Sequence, residues 1–389
     1  MNCLPLLAWA LVSFQGAPSA DLNFKEAWSR IETSISQRFY ARTSRKDEMD
    51  KLFAKYGPLA SAAKTKGEFN KTVNDMIAEF GDSHFALLTD EDQAYYMMDN
   101  LANPDKAAAM PEIGLWFKQT AKGFVVTMVL EGSEAADADI RKGDVIKTVD
   151  GKPFSPVSSL KDKVNKKVTL EIERDGATSS KQVTVTSEKA LDMFVQASRR
   201  STRVIEQGGK KIGYFHLWTQ ANDSFRNALK SAVMGQLRNT DAFILDLRDG
   251  FGGRPENFFE PFFMPDVNVS YGLTGFTQQV PFGYGTKKPL VVLINEGSRS
   301  AKEISSYMLK KSGRATLIGT TTAGHVLGTT PSRLNEWAFL EIPIVEVTAD
   351  GEKLEKVGVS PNIEVKPEYD KSGKDLVLAR ALKFLQDGK

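Results

Sequence analysis

The spacing of the apolar residues changes twice along this chain, and each change limits what the neighbouring stretch can fold into. From Asp21 to about Asn103 they recur at helix spacing, with Phe24, Trp28, Ile31 and Ile35, then Phe69, Val73, Ile77 and Phe80. Gly81 follows in the place of a helix stop, and Phe85 to Thr89 reads as a strand. Between Pro111 and about Ser187 the pattern is one of short strands: Ile113 to Phe117, Phe124 to Leu130, Val145 to Val149, Val168 to Ile172 and Val183 to Val185. From Lys210 onward, apolar strands alternate with helices: Ile212 to Leu217, Phe225 to Leu237, Ala242 to Leu247, Leu290 to Ile294, Ala301 to Lys311 and Ala315 to Ile318. Trp337 to Val347 reads as a long strand. The expected organisation is a leader at 1–20, a helical domain at 21–105, an inserted β-rich domain at 110–188, an α/β core at 189–370 and a C-terminal helix at 371–389.

The leader rests on the apolar run Leu4 to Phe14 and the small residues Gly16 to Ala20, which predict a secretory signal cleaved near Ala20. The protein is therefore expected to be exported, to a periplasmic or secreted setting. Cys3 is the one cysteine, so a mature chain without it has no disulfide, thiolate metal site or cysteine nucleophile. Three histidines, His84, His216 and His325, are too few for a His-rich metal site. Charge is balanced, at a formal +2, which offers no footprint for nucleic acid.

Three stretches of the core carry chemistry. Asp246 to Gly253 is a strand running into a glycine-rich turn, where backbone N–H groups approach a ligand closely. Asn295 to Ile304 puts Ser300 at a strand-to-helix junction, beside the helix N-terminus and a neighbouring N–H. A serine here, Ser300 or Ser298, also suits a plain helix cap. The third stretch is Glu355 to Asn362.

Together these stretches resemble the carboxyl-terminal processing peptidases and the core of tricorn protease, over roughly residues 70 to 366. That resemblance implies a crotonase-like α/β core, with Ser300 as nucleophile and the N–H groups of Gly252 and Ala301 as oxyanion hole. Relatives of the dyad type use a lysine where Thr322-Ala323-Gly324-His325-Val326 stands here, so a Ser–Lys dyad is absent and His325 is an alternative base. The tricorn-like branch implies a Ser83-His84 pair, with His84 as base and Glu355 orienting it directly or through Ser83. His216 lies in an apolar strand and reads as a core histidine.

Residues 111 to 187 resemble a PDZ domain through Ile113-Gly114-Leu115, Glu131 to Ala136, Ile140 to Ile146 and Val149 to Pro153. The resemblance implies that Ile113, Gly114 and Leu115 hold a peptide carboxylate, and that a helix from Ser158 to Val164 walls the groove. The expected function is that of an exported serine endopeptidase, without metal or cofactor, acting on polypeptides held by their C-terminal tails. Two rivals stand beside it: a catalytically idle peptide-binding scaffold, and an esterase using the same triad.

Overall fold

The computed structural model describes residues 22–263, 267–274, 276–282 and 285–388; the leader expected at 1–20 lies outside them. Six strands form the central sheet, in the order Arg203–Gln207, Lys210–His216, Ala242–Asp246, Leu290–Ile294, Thr316–Gly319 and Ile363–Glu364. The first pair is antiparallel and the rest are parallel. Alternate residues of each strand enter different cores, which is why the strands read as unbroken apolar runs. Phe215, Leu245, Val292 and Leu317 pack on one face with the helices Ala190–Arg200 and Asp223–Met234. Ile212, Ile244, Leu293 and Ile318 pack on the other against Val377, Ala381 and Leu385 of the terminal helix Leu376–Asp387. The α/β core and the C-terminal helix thus form as the periodicity predicts.

The helices Phe24–Arg38, Lys46–Ser61 and Lys66–Phe80 bury one stripe each, but that stripe is not closed by residues 21–105 alone. Leu334, Ala338, Leu340 and Ile342 share their core. The strand Ala86–Thr89 pairs antiparallel with Ala338–Val345, Leu87 opposite Leu340. This late hairpin, Gly328–Arg333 with Ala338–Val345, therefore ties the helical unit to the core and fixes where Ser83 and His84 emerge.

The β-rich domain has the strand order Leu115–Thr120, Gly123–Val129, Val145–Val149, Lys167–Arg174 and Ala177–Thr184, with Leu115–Thr120 at an edge. Its expected wall helix, Ser158 to Val164, is absent. Only the 3-10 turn Lys161–Lys163 forms there. The Ser159 hydroxyl caps the Ser155 N–H at 2.7 Å, and Asn165 sits at φ 63°, so side-chain hydrogen bonding and a left-handed exit compete with so short a helix.

Candidate active site

Three loops converge at the carboxyl ends of neighbouring parallel strands, the edge where open α/β sheets build their sites. The loop after Leu290–Ile294 ends in the helix Ala301–Lys311, with Ser300 as its N-cap at φ 58° and ψ −128°. A non-glycine residue held there stores strain of about 1–3 kcal/mol, and the neighbouring hydrogen bonds hold it in place. Ser300 N–H donates to His325 O at 2.7 Å and to Glu303 Oε1 at 3.2 Å. Glu303 also accepts from the N–H groups of Gly324 and His325, both at 2.7 Å, and from Thr322 Oγ1 at 2.6 Å. Ser298 is separated from Ser300 by its partners. Its buried hydroxyl donates to Leu247 O at 2.8 Å and accepts from Asn295 N–H at 3.1 Å, which makes it a brace between the loops.

The glycine-rich turn faces Ser300. Asp249 and Gly250 are both left-handed, at φ 50° and 73°, and Phe251 N–H donates to Trp218 O at 3.0 Å. A Cβ on Gly250 would lie 2.0 Å from Trp218 O, so only glycine fits. A Cβ on Gly252 would lie 2.3 Å from Ser300 Cβ and 2.9 Å from the Ala301 nitrogen. Among the described residues, the N–H groups of Gly252 and Ala301 donate to no backbone or side-chain acceptor.

Charges brace this turn from two sides. The Asp249 carboxylate receives Lys142 Nζ on both oxygens at 2.8 Å and Asn295 Nδ2 at 3.1 Å. Its main-chain carbonyl receives Lys302 Nζ at 2.7 Å. Lys302 is fully buried, and burial pulls its ammonium down to about 7 despite the carboxylates of Asp246 and Asp249. Lys142 belongs to the β-rich domain; burial works against its charge, but Asp249 and Glu368 outweigh that and raise its pKa. Trp116 of the same domain meets Phe251 edge to face, with ring centroids 5.3 Å apart. None of Lys142, Lys302 and Asp249 stood out in the sequence, because their partners lie far along the chain.

His84 forms a second chain of contacts. It leaves the helical unit at φ 54°, just beyond Gly81, which caps the preceding helix at φ 66°. Its Nδ1 lies 3.1 Å from Ser83 Oγ, and Ser83 Oγ donates to Glu355 Oε2 at 3.0 Å. Because the serine proton goes to the carboxylate, Nδ1 carries the imidazole hydrogen and Nε2 is left as the acceptor. Glu355 Oε2 also receives the N–H groups of Val326 at 2.7 Å and Leu327 at 3.2 Å. Burial, then the charges of Arg299 and His325, lower His84 to about 4, so its ring is neutral at neutral pH. His84 and Ser300 are not hydrogen-bonded to each other, but both are tied to residues 324–329, through His325 O and through Thr329 Oγ1 on His84 O at 3.5 Å.

The remaining histidines divide. His325 contributes its backbone N–H and C=O, while its side chain is exposed. His216 is buried in the sheet as expected, yet it is more than packing. Its ring meets Glu131 Oε1 at 2.7 Å and Arg248 O at 3.1 Å, and Glu131 also takes Trp218 Nε1 at 2.6 Å, joining the β-rich domain to the core. The expected peptide loop is not open. Ile113, Gly114 and Leu115 are buried, and Gly114 N–H already donates to the Glu112 carboxylate.

A sequence model described as peptidase family S41 matches residues 211–365, which hold Ser300, the glycine-rich turn and Glu355. The chain is a serine-type peptidase, with the family S41 likeness spanning residues 211–365. A second model, described as a PDZ domain, matches residues 111–185 of this serine-type peptidase. The chain is 26% identical over 350 residues to the carboxy-terminal processing protease CtpA of Bacillus subtilis, covering 83% of this chain and 70% of that protein. It is 24% identical over 386 residues to the tricorn protease of Thermoplasma volcanium, covering 93% of this chain but 36% of that protein. The solved photosystem II D1 C-terminal processing protease shares the fold, with a TM-score of 0.55 at 21% identity over 91% of this chain and 96% of that chain.

Proposed function

We propose that this serine-type peptidase cleaves polypeptides through an acyl-enzyme on Ser300, with His84 as base. The observation that carries the reading is the His84–Ser83–Glu355 relay, tied by residues 324–329 to the main chain of Ser300. In the first step His84 Nε2 takes the hydroxyl proton as Ser300 Oγ bonds to the scissile carbonyl carbon. The oxyanion that forms accepts the N–H groups of Gly252 and Ala301, donors without an acceptor among the described residues. Collapse breaks the C–N bond, and the leaving amine takes the proton from His84. Water, deprotonated by the same imidazole, then hydrolyses the ester and returns Ser300.

Through Ser83, the negative charge of Glu355 stabilises the imidazolium and holds the tautomer. A ring lowered to about 4 is fully available as a base at neutral pH. The relay favours His84 over His325, whose side chain faces solvent.

Two finer readings belong to the same proposal. The PDZ domain captures polypeptide C-termini through the loop at Ile113, Gly114 and Leu115, and the leader at 1–20 exports the chain; sequencing the N-terminus of the cell-derived protein checks the second. A catalytically idle scaffold is the alternative that the missing His84–Ser300 hydrogen bond favours. Incubation of purified protein with an unfolded polypeptide such as casein decides between them. The account expects cleavage that Ser300→Ala and His84→Ala both abolish; an intact substrate with folded wild-type protein points to the scaffold.

A further inference from the structure

A peptide that adds to a sheet edge needs unspent N–H and C=O groups along that edge. The outer edge of Leu115–Thr120 does not offer them. Gln93, first residue of the helix Gln93–Ala102, lays its side-chain amide against it. Gln93 Nε2 donates to Leu115 O at 2.9 Å, and Gln93 Oε1 accepts from Phe117 N–H at 3.2 Å. Residues two apart on a strand point to the same edge, and a glutamine amide carries the donor and acceptor of a peptide unit. The contact is interior, since Gln93 is 6% exposed and Leu115 is 0% exposed. At the head of the strand, the Glu112 carboxylate accepts from Gly114 N–H and from Thr186 Oγ1.

We propose that Gln93 and Glu112 are built-in competitors for the PDZ groove. The carboxamide of Gln93 stands where a peptide backbone would pair, and the carboxylate of Glu112 stands where a terminal carboxylate would be held. Gln93 comes from outside the PDZ domain and is well anchored: the preceding Asp92 accepts from Thr89 N–H at 2.8 Å, Thr89 Oγ1 at 2.9 Å and Asn70 Nδ2 at 3.0 Å. An internal polypeptide segment replaces only Gln93. A chain terminus replaces both competitors and leaves no buried group unpaired. The groove therefore selects ends over middles, and its apparent affinity is set by what the chain's own side chains give up. This inference rests on the reading of the PDZ domain as a receptor for C-termini.

The test is fluorescence anisotropy in a Ser300→Ala background, so that nothing is cleaved. The probes are a fluorescein-labelled decapeptide ending in Ala-Val-Leu with a free carboxylate, and the same peptide as its C-terminal carboxamide. Gln93→Met keeps the volume and removes both hydrogen bonds. It is expected to tighten the acid peptide about tenfold, the scale of one net buried hydrogen bond. Glu112→Gln removes the competing charge, is expected to tighten the acid more than the carboxamide, and carries the test if Gln93→Met does not fold. Unchanged affinities in both variants, or no binding of the acid peptide by any of the proteins, overturn the proposal. Casein hydrolysis by chains with Ser300 intact separates the two readings. Cleavage without any affinity gain sinks the competitors alone, and an affinity gain without cleavage sinks the catalytic reading alone.

Discussion

Two glycine loops in this chain are proposed here to receive an incoming negative charge, and their backbone N–H groups are kept in opposite states. At Gly252, which packs against Ser300, the turn is braced from behind by Lys302, Lys142 and Asn295, and the Gly252 N–H has no acceptor among the described residues. At Gly114 the N–H is taken by Glu112, and the strand beyond it by Gln93. A catalytic donor must be aimed in advance, because reorganising it during the reaction costs rate. A recognition donor need only be recoverable, and filling it internally satisfies buried polar groups until a competitor arrives. The lysine that braces the first loop, Lys142, comes from the domain that holds the second, so the two states share one framework.

The predictions run from the loop that must be rigid to the one that must yield. Ser300→Ala and His84→Ala are each expected to lower kcat on casein by at least about a thousandfold while the proteins stay folded by circular dichroism. Gly252→Ala adds a Cβ 2.3 Å from Ser300 Cβ, so kcat is expected to fall about a hundredfold with KM little changed. A rise in KM alone would break the contrast by making the turn a substrate-binding loop. Ser83→Ala interrupts the relay to Glu355, and a fall of roughly tenfold to a hundredfold in kcat is expected. Lys142→Ala is expected to cost roughly fivefold in kcat, partly restored by Lys142→Arg; full activity would separate the two loops.

The pH profile carries the sign of the His84 shift. The ring must be neutral to accept the serine proton, and burial lowers it to about 4. The acid limb of kcat/KM is therefore expected to fall as pH drops through about 4, below the range of an ordinary histidine near 6.5. A limb near 6.5 would contradict a buried, lowered His84 as the base.

Much of the architecture was legible because it is local. Strands buried on both faces read as apolar runs, and Ser300 at a strand-to-helix junction read as suiting a helix cap, the place it takes at the N-terminus of Ala301–Lys311. Ser83-His84 and Glu355 were legible as short motifs, although 272 residues separate Ser83 from Glu355. The braces were not. Lys142 lies 107 residues from Asp249, and nothing around either residue marks the pair. Gln93 was hidden for a different reason: at a helix start it reads as a solvated polar residue, and only the strand packed against it gives its amide a role. The wall helix that the PDZ resemblance implies at Ser158 to Val164 does not form, because so short a segment nucleates poorly against its own side-chain hydrogen bonds.

The central claim is that Ser300 is an activated nucleophile with His84 as its base. Its most direct test is labelling of the folded protein with a fluorophosphonate, followed by peptide mapping. The account predicts a single adduct on Ser300, lost in Ser300→Ala and slowed at least about a hundredfold in His84→Ala. An unlabelled Ser300, or labelling indifferent to His84, would contradict it.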